Sequence, residues 1–237
     1  MMLFFANRLH RFIRRFFLKP TSVESGHPLE LVFEILRRSQ NPPCIVQVGA
    51  SDGSLNDPLA DFLTTLECQA VLVEPLPEVF RQLNERHASR PGIVCRQVAI
   101  DRVDGKRPLY TITEDCPYTA GQLTSFSRDH LLKNGVKPCH VKTIEVPTMP
   151  LSQILSDAGI ERVDLLQVDT EGFDDVIVRM ALELPTSPQF INFEHLHLAK
   201  EAEENLHRDL RIGGYSWVKS DWDTLAWKRK ELPPENP

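Results

Sequence analysis

Ile45-Val46-Gln47-Val48-Gly49-Ala50-Ser51-Asp52-Gly53-Ser54-Leu55-Asn56-Asp57 is the stretch whose reading decides the fold. A β-branched run ends in a turn of small residues. Asp57-Pro58 then opens an amphipathic helix, with Leu59, Phe62, Leu63 and Leu66 as its apolar stripe. Asp57 is the expected N-cap and Pro58 the expected first helical residue. Strand, turn and helix in that order mark the place where an α/β protein holds a nucleotide-like ligand. Gly49 and Gly53 are expected to let the backbone approach that ligand with no Cβ in the way.

Working outward, Ala70–Val73 reads as a second strand ending in Glu74-Pro75, followed by a helix with Val79, Phe80 and Leu83 on its apolar face. An acid at the tip of the second strand, about 20 residues beyond the glycine turn, is placed to accept hydrogen bonds from both hydroxyls of a ribose. Ile93–Ile100 reads as a third strand. The segment 101–150 is less regular, with strand-like stretches at Pro108–Thr113 and Val141–Val146 and a short helix at Arg128–Asn134. A long insertion on a rigid sheet is where specificity commonly sits, so this segment is the expected substrate wall or lid. Val163–Val168 is a buried strand ending in Asp169-Thr170-Glu171-Gly172, and Phe190–Phe193 is another, ending in Glu194-His195-Leu196-His197. Helices follow both, and Tyr215–Lys219 and Thr224–Lys228 close the pattern. Alternating strands and helices predict a doubly wound α/β sheet with its ligands at the carboxyl ends of the strands.

Composition sets the outer bounds. The 237 residues are 41% hydrophobic and 25% charged, with a formal charge of −6. That describes one α/β domain with extensions and argues against nucleic acid as a partner. Five scattered cysteines without a CxxC pair read as reduced thiols of a cytoplasmic protein, and Cys139-His140 reads as packing or surface rather than zinc. Residues 1–27 stand apart. Phe5, Leu9, Phe12, Ile13 and Phe16 recur at helical spacing among Arg8, Arg11, Arg14, Arg15 and Lys19. Such a basic amphipathic helix either lies peripherally on an anionic membrane surface or docks on its own domain or on a second subunit. No apolar run is long enough to span a bilayer. The main domain is expected over 28–230, with a disordered tail at 231–237.

The turn is Gly-Ala-Ser-Asp-Gly-Ser rather than GxGxxG, and no Walker-type GxxxxGK[ST] is present. Asp52 stands where a pyrophosphate would want backbone N–H groups alone. A cationic ligand with a ribose and no phosphates fits better, and S-adenosylmethionine is such a ligand. Val48-Gly49-Ala50-Ser51-Asp52-Gly53, Val73-Glu74-Pro75-Leu76-Pro77, Leu166-Gln167-Val168-Asp169-Thr170-Glu171-Gly172-Phe173-Asp174 and Phe193-Glu194-His195 together resemble the ordered motifs of the FkbM family of S-adenosylmethionine-dependent methyltransferases. Ser125-Phe126-Ser127 and Val146-Pro147-Thr148-Met149-Pro150-Leu151 also fit its pattern. The resemblance runs from about residue 44 to 200. It implies the Rossmann-like class I methyltransferase fold, a seven-stranded sheet with the last strand antiparallel. The cofactor residues it implies are Gln47, Gly49, Ala50, Ser51, Asp52, Gly53, Asn56, Glu74, Pro75, Ala99 and Asp169. Gln47 departs from the pattern, since that position is usually acidic in the superfamily.

The resemblance implies O-methylation of a hydroxyl on a sugar, a glycan or another small natural product. An aliphatic hydroxyl needs a base, and the candidates are His195, His197, Asp169 and Glu194. His195 directly follows a strand end, and its ordinary pKa of about 6.5 suits the task. Alternatively, Asp169, Glu171 and Glu194 could gather Mg²⁺, which takes oxygen ligands and would acidify the hydroxyl instead. Two other readings stay open at this level: a nicotinamide oxidoreductase of the same fold class, and a binding module that keeps the fold without the chemistry.

Overall fold

The structure, a computed structural model, describes residues 28–54, 57–117 and 123–229. The amphipathic segment 1–19, Asn56 and the tail 231–237 lie outside the described residues. In chain order the elements are α1 (Pro28–Arg37), β1 (Cys44–Val48), α2 (Ala60–Thr65), β2 (Gln69–Val73), α3 (Pro77–His87), β3 (Ile93–Arg96), β4 (Ala99–Ile100) and β5 (Gly105–Ile112). They continue with α4 (Arg128–Lys133), a 3₁₀ turn at Pro138–His140, β6 (Val141–Met149), α5 (Leu151–Asp157), β7 (Leu165–Val168), α6 (Asp174–Leu182), β8 (Phe190–Glu194), α7 (Lys200–Ile212), β9 (Tyr215–Lys219) and β10 (Asp223–Lys228).

Seven strands form one sheet in the order β3-β2-β1-β7-β8-β10-β9. Six run parallel. β10, the last in the chain, slots antiparallel between β8 and β9. The central strands are buried along their whole length, as a parallel sheet covered on both faces requires. Alternation of side chains splits the core in two. Val46, Val48, Leu166, Val168, Ile191 and Phe193 pack against α5, α6 and α7. Ile45, Ala70, Leu72, Leu165 and Phe190 pack against α1, α2 and α3. No helix among the described residues is long and apolar enough to cross a membrane.

Two local expectations need correction. The run Ile93–Ile100 is not one strand. β3 follows β2 only to Arg96, whose partner Val73 is the last residue of β2. With nothing further to pair, the chain leaves the sheet at Gln97-Val98. Ala99-Ile100 instead pairs parallel with Thr148-Met149 in a second sheet of order β4-β6-β5. The start of α2 also shifts to Ala60. Asp57 caps one step earlier, as a turn: its Oδ1 accepts from the Leu59 N–H at 2.8 Å and its carbonyl accepts from Ala60 N–H at 3.2 Å. Leu59, Phe62 and Leu63 are buried as the stripe requires.

The segment 101–150 is largely built on the second sheet, a β5–β6 antiparallel pair in the register Leu109↔Ile144. Its small core of Ala99, Leu109 and Val146 reaches Leu76 and Phe126 beside the carboxyl ends of the main sheet.

Gly49 fixes how closely β1 and β7 meet. Its φ is +79°, and a Cβ placed there would sit 1.8 Å from the Asp169 carbonyl oxygen. Gly159, with φ of +66° and nothing within 4 Å, provides the conformational control. In thermal denaturation, Gly159→Ala is expected to cost about 1–2 kcal/mol, the left-handed backbone term alone. Gly49→Ala must also separate two central strands and is expected to cost more than about 4 kcal/mol. Equal losses would show that the contact is not the constraint.

Candidate active site

The strand ends and the second sheet enclose a cleft of about 580 Å³. Of the residues singled out in the sequence, Gln47, Gly49, Ala50, Ser51, Glu74, Pro75, Ala99, Asp169 and Glu171 line it. Asp52 and Gly53 do not. Asp52 turns back on its own loop, accepting from the Ser54 N–H at 3.0 Å and the Ser54 hydroxyl at 2.7 Å. The missing Cβ of Gly53 makes room for Leu83 and His87 of α3, at 2.9 and 3.2 Å, rather than for a ligand. Neither glycine of the turn is therefore explained by ligand approach alone; each is required by packing.

Glu74 anchors one end of the cleft. It is 6% exposed. Its Oε2 accepts from the Ser51 N–H at 3.0 Å and its Oε1 from the Leu76 N–H at 2.8 Å. Ser51 holds a left-handed φ of +50° to make that bond. Each carboxylate oxygen keeps a further acceptor site. Burial raises the Glu74 carboxyl to about 7.

Gln47 belongs to a buried amide row. Gln47, Gln167 and Asn192 are neighbours across β1, β7 and β8. The Asn192 amide donates to Gln167 Oε1 at 2.9 Å and to Asp223 Oδ2 at 3.2 Å. Gln47 Nε2 donates to Asp57 Oδ1 at 2.7 Å. The outward atoms of that pair, Gln47 Oε1 and Asp57 Oδ2, are buried acceptors with no donor. Asp57, assigned from sequence only to helix capping, is thus also a wall of the cleft.

Asp169 lines the cleft and opens into it. Desolvation by the protein around its carboxyl raises it to about 7, and Glu171, Asp223 and Asp57 add to the rise. Asp174 is fully buried one turn below. It accepts from the backbone N–H groups of Thr170 and Gly172, both at 3.2 Å, and so sets the shape of the Asp169–Gly172 turn. Only its place inside a motif hinted at that role.

The structure does not bring His195 to the cleft. β8 ends at Glu194, and a turn closed by Leu198 N–H to the His195 carbonyl at 3.1 Å sends the two histidines apart. His195 is 8% exposed and meets the Thr224 hydroxyl through Nδ1 at 3.1 Å. Burial, then the nearby Lys219 charge, lowers its pKa. His197 goes the other way. Its Nε2 stands 3.2 Å from Glu171 Oε2 and 3.7 Å from Glu194 Oε2. His130, from the insertion, brings its Nε2 within 3.0 Å of the same Glu171 oxygen. His130 had no signal in the sequence, because only the fold of 101–150 carries α4 to this place. The expected oxygen trio of Asp169, Glu171 and Glu194 is not what converges. Among the described residues, the trio whose candidate ligand atoms all lie within 4.8 Å of one another is His130, Glu171 and His197.

An aromatic wall completes the cleft. The Arg107 guanidinium lies 4.1 Å from the Phe126 ring centre and 5.2 Å from that of Phe173. The Ser125 hydroxyl donates to the Glu171 carbonyl at 2.8 Å. At the mouth, the Trp222 indole is 67% exposed and still lines the cleft.

The raised Glu74 pKa has a definite sign. A carboxyl that holds its proton more tightly when folded contributes stability in full below about 4.5, and that contribution is lost as pH rises through about 7. In ligand-free protein, the stability of Glu74→Gln relative to wild type is therefore expected to improve between pH 4.5 and 8, by up to about 3 kcal/mol. Denaturant melts at both pH values check this; a pH-independent difference contradicts it.

Comparison with known proteins identifies the fold and the family. The described fold matches the solved METTL16 MTase domain with a TM-score of 0.50 at 12% identity, over 94% of this chain and 79% of that one. A methyltransferase FkbM from Methylobacillus flagellatus KT aligns with a TM-score of 0.48 at 13% identity, over 78% of this chain and 43% of its own. A ribosomal protein L11 methylase from Lactobacillus delbrueckii subsp. bulgaricus aligns with a TM-score of 0.42 at 12% identity, over 87% and 81%. No curated protein sequence gives a match. The methyltransferase FkbM domain matches residues 47–212, from the amide row of β1 to the end of α7. That span is more than half of the 237 residues and holds every wall of the cleft except Trp222, and the chain belongs to the FkbM family of methyltransferases.

Proposed function

We propose that this protein transfers the methyl group of S-adenosylmethionine to a hydroxyl of a sugar, a glycan or a similar small natural product. One observation carries the reading: Asp169 opens into the same cleft as the unpaired acceptors of the Gln47–Asp57 pair and the Phe126–Phe173 wall.

The residues fit the cofactor. Gln47 Oε1 and Asp57 Oδ2 are buried acceptors that lack a donor, and an ammonium group supplies one. Here Asp57 takes over the anionic role that Gln47 has given up. Glu74 has acceptor sites left for two ribose hydroxyls, and donors there favour its ionised form. Acids gathered at the strand ends favour a cation and oppose a pyrophosphate, which weighs against a nicotinamide cofactor. When bound, S-adenosylmethionine supplies a methyl group made electrophilic by its sulfonium.

The chain's own work is alignment and proton removal. Asp169, poised near neutrality, accepts the hydroxyl proton as the new carbon–oxygen bond forms. The flat Trp222 indole and the Phe126–Phe173 wall offer apolar faces to the acceptor while the carboxylates address its hydroxyls. The described part of the segment 101–150 acts as a wall, joined to the main domain by Ser125 at the Glu171 carbonyl and by Arg107 over the Phe173 ring.

Isothermal titration with S-adenosylmethionine is expected to show binding to wild type and a loss of at least tenfold in Glu74→Ala, since two charge-assisted hydrogen bonds disappear. Equal affinity, or none for wild type, overturns the cofactor assignment. Once tritiated-methyl transfer into fractionated extract has identified the acceptor, Asp169→Asn is expected to lower kcat about 100-fold with cofactor affinity within a few-fold. Trp222→Ala is expected to raise the acceptor KM several-fold with kcat nearly unchanged; a fall in kcat alone would remove the indole from acceptor binding.

A further inference from the structure

His130, Glu171 and His197 come from three separate parts of the chain: α4 of the insertion, the turn after β7, and the turn after β8. Glu171 holds a left-handed φ of +53°, a conformation that a non-glycine residue keeps only when its surroundings demand it. Both imidazole Nε2 atoms face one oxygen, Glu171 Oε2, at 3.0 and 3.2 Å. The two rings meet edge to face, with centres 4.6 Å apart.

Hydrogen bonds alone leave this arrangement unsatisfied. The Asn134 side-chain amide stands 3.1 Å from His130 Nε2 and donates to the His130 carbonyl at 3.0 Å. A single ring nitrogen cannot both accept from that amide and donate to Glu171. Turning the Asn134 amide over would set its oxygen against the His130 carbonyl. Next to the trio, Glu194 Oε2 is a buried acceptor with no partner, 3.7 Å from His197 Nε2. Two imidazoles and two carboxylates face one another, and the element missing among them is a cation.

We propose that His130, Glu171 and His197 bind a divalent transition-metal ion, best matched by Zn²⁺, with Glu194 as a second carboxylate at its edge. Ligand atoms about 2.0–2.1 Å from a tetrahedral ion lie about 3.3–3.4 Å apart; the two nitrogen–oxygen distances are already 3.0 and 3.2 Å, and all three atoms lie within 4.8 Å of one another. Two histidines and one carboxylate are a donor set for Zn²⁺ with an open position, whereas Mg²⁺ takes oxygen ligands and is poorly served by imidazole. Asn134 is exposed and can turn into solvent as His130 takes up the ion. The site does not depend on the methyl-transfer reading, but the task given to it does. Glu171 is the member of the trio that lines the cleft, and an acceptor hydroxyl reaching the ion beside it would have its pKa lowered. The hydroxyl then gives its proton to a carboxylate of the cleft, the oxygen–methyl bond forms, and the methyl–sulfur bond breaks with its electron pair going to sulfur.

The test uses the untagged full chain, stripped with a chelator and titrated with Zn²⁺, then with Mg²⁺. The expected result is one Zn²⁺ per chain, bound at least tenfold more weakly by His130→Ala and by His197→Ala and unchanged in Cys139→Ser, which removes the exposed thiol. Glu171→Gln keeps the side-chain shape and makes the same comparison if an alanine variant does not fold. Zn²⁺ is also expected to raise the Tm of wild type and not that of the histidine variants. No Zn²⁺ binding by wild type, binding indifferent to these substitutions, or Mg²⁺ bound equally tightly would each overturn the site. S-adenosylmethionine is titrated into the same preparations. Cofactor binding without Zn²⁺ binding overturns the metal site and leaves methyl transfer standing. Zn²⁺ binding without methyl transfer to any acceptor leaves the site and removes its catalytic task.

Discussion

The backbone contact between Gly49 and the Asp169 carbonyl is the constraint on which the cleft depends. A parallel sheet places its strand ends side by side, but the loops leaving those ends compete for the same space. With no Cβ at Gly49, the loop after β1 can bend across the end of β7. The Gly49 and Ala50 N–H groups both turn to the Val73 carbonyl, each at 3.0 Å, while Asp169 N–H meets the Val48 carbonyl at 3.0 Å. Three strand ends are thereby locked into one rim. Glu74, Asp57 and Asp169 hang from it at fixed separations, and the cleft is the space they enclose.

That rim concentrates negative charge. The carboxyls of Glu74, Asp169, Asp174 and Glu194 are all raised well above their ordinary range, by desolvation first and, for the last three, by neighbouring carboxylates. A protein tolerates such a group of acids at a cost in stability, and the cost falls when a cation or a set of hydrogen-bond donors occupies the cleft. Within the cleft the unpaired Gln47 and Asp57 oxygens await a donor. Outside its lining, two histidines close on Glu171, itself a wall of the cleft. The two places differ in chemistry, since one presents oxygens only and the other adds imidazole. This division suits two different cationic centres, one belonging to a cofactor and one held by the protein.

The architecture was legible because it rests on local regularities. Hydrophobic runs bounded by turns marked all seven strands of the main sheet, and an acid at the tip of the second strand marked the end at which the cleft opens. Ile93–Ile100 misled because an apolar run records burial and not its partner: Ile93–Arg96 is buried by β2, and Ala99-Ile100 by the second sheet. Asp52 misled in another way. Its position in the turn matched a ligand contact, but a short side chain beside Ser54 finds local partners first.

By itself, the sequence determined the parallel sheet, the turn of Gly49, Ala50 and Ser51 that lines the cleft, the place of Glu74 and the family, since strand period, turn chemistry and motif order are all written within short spans. The tertiary structure alone decided which side chains meet. His195 and His197 are two residues apart, yet a single turn sends one to Thr224 and the other to Glu171. His130 is 41 positions from Glu171 and reaches it only because β5 and β6 fold the insertion back over the strand ends. Contacts of that kind depend on the path of the whole chain, and no local pattern encodes them.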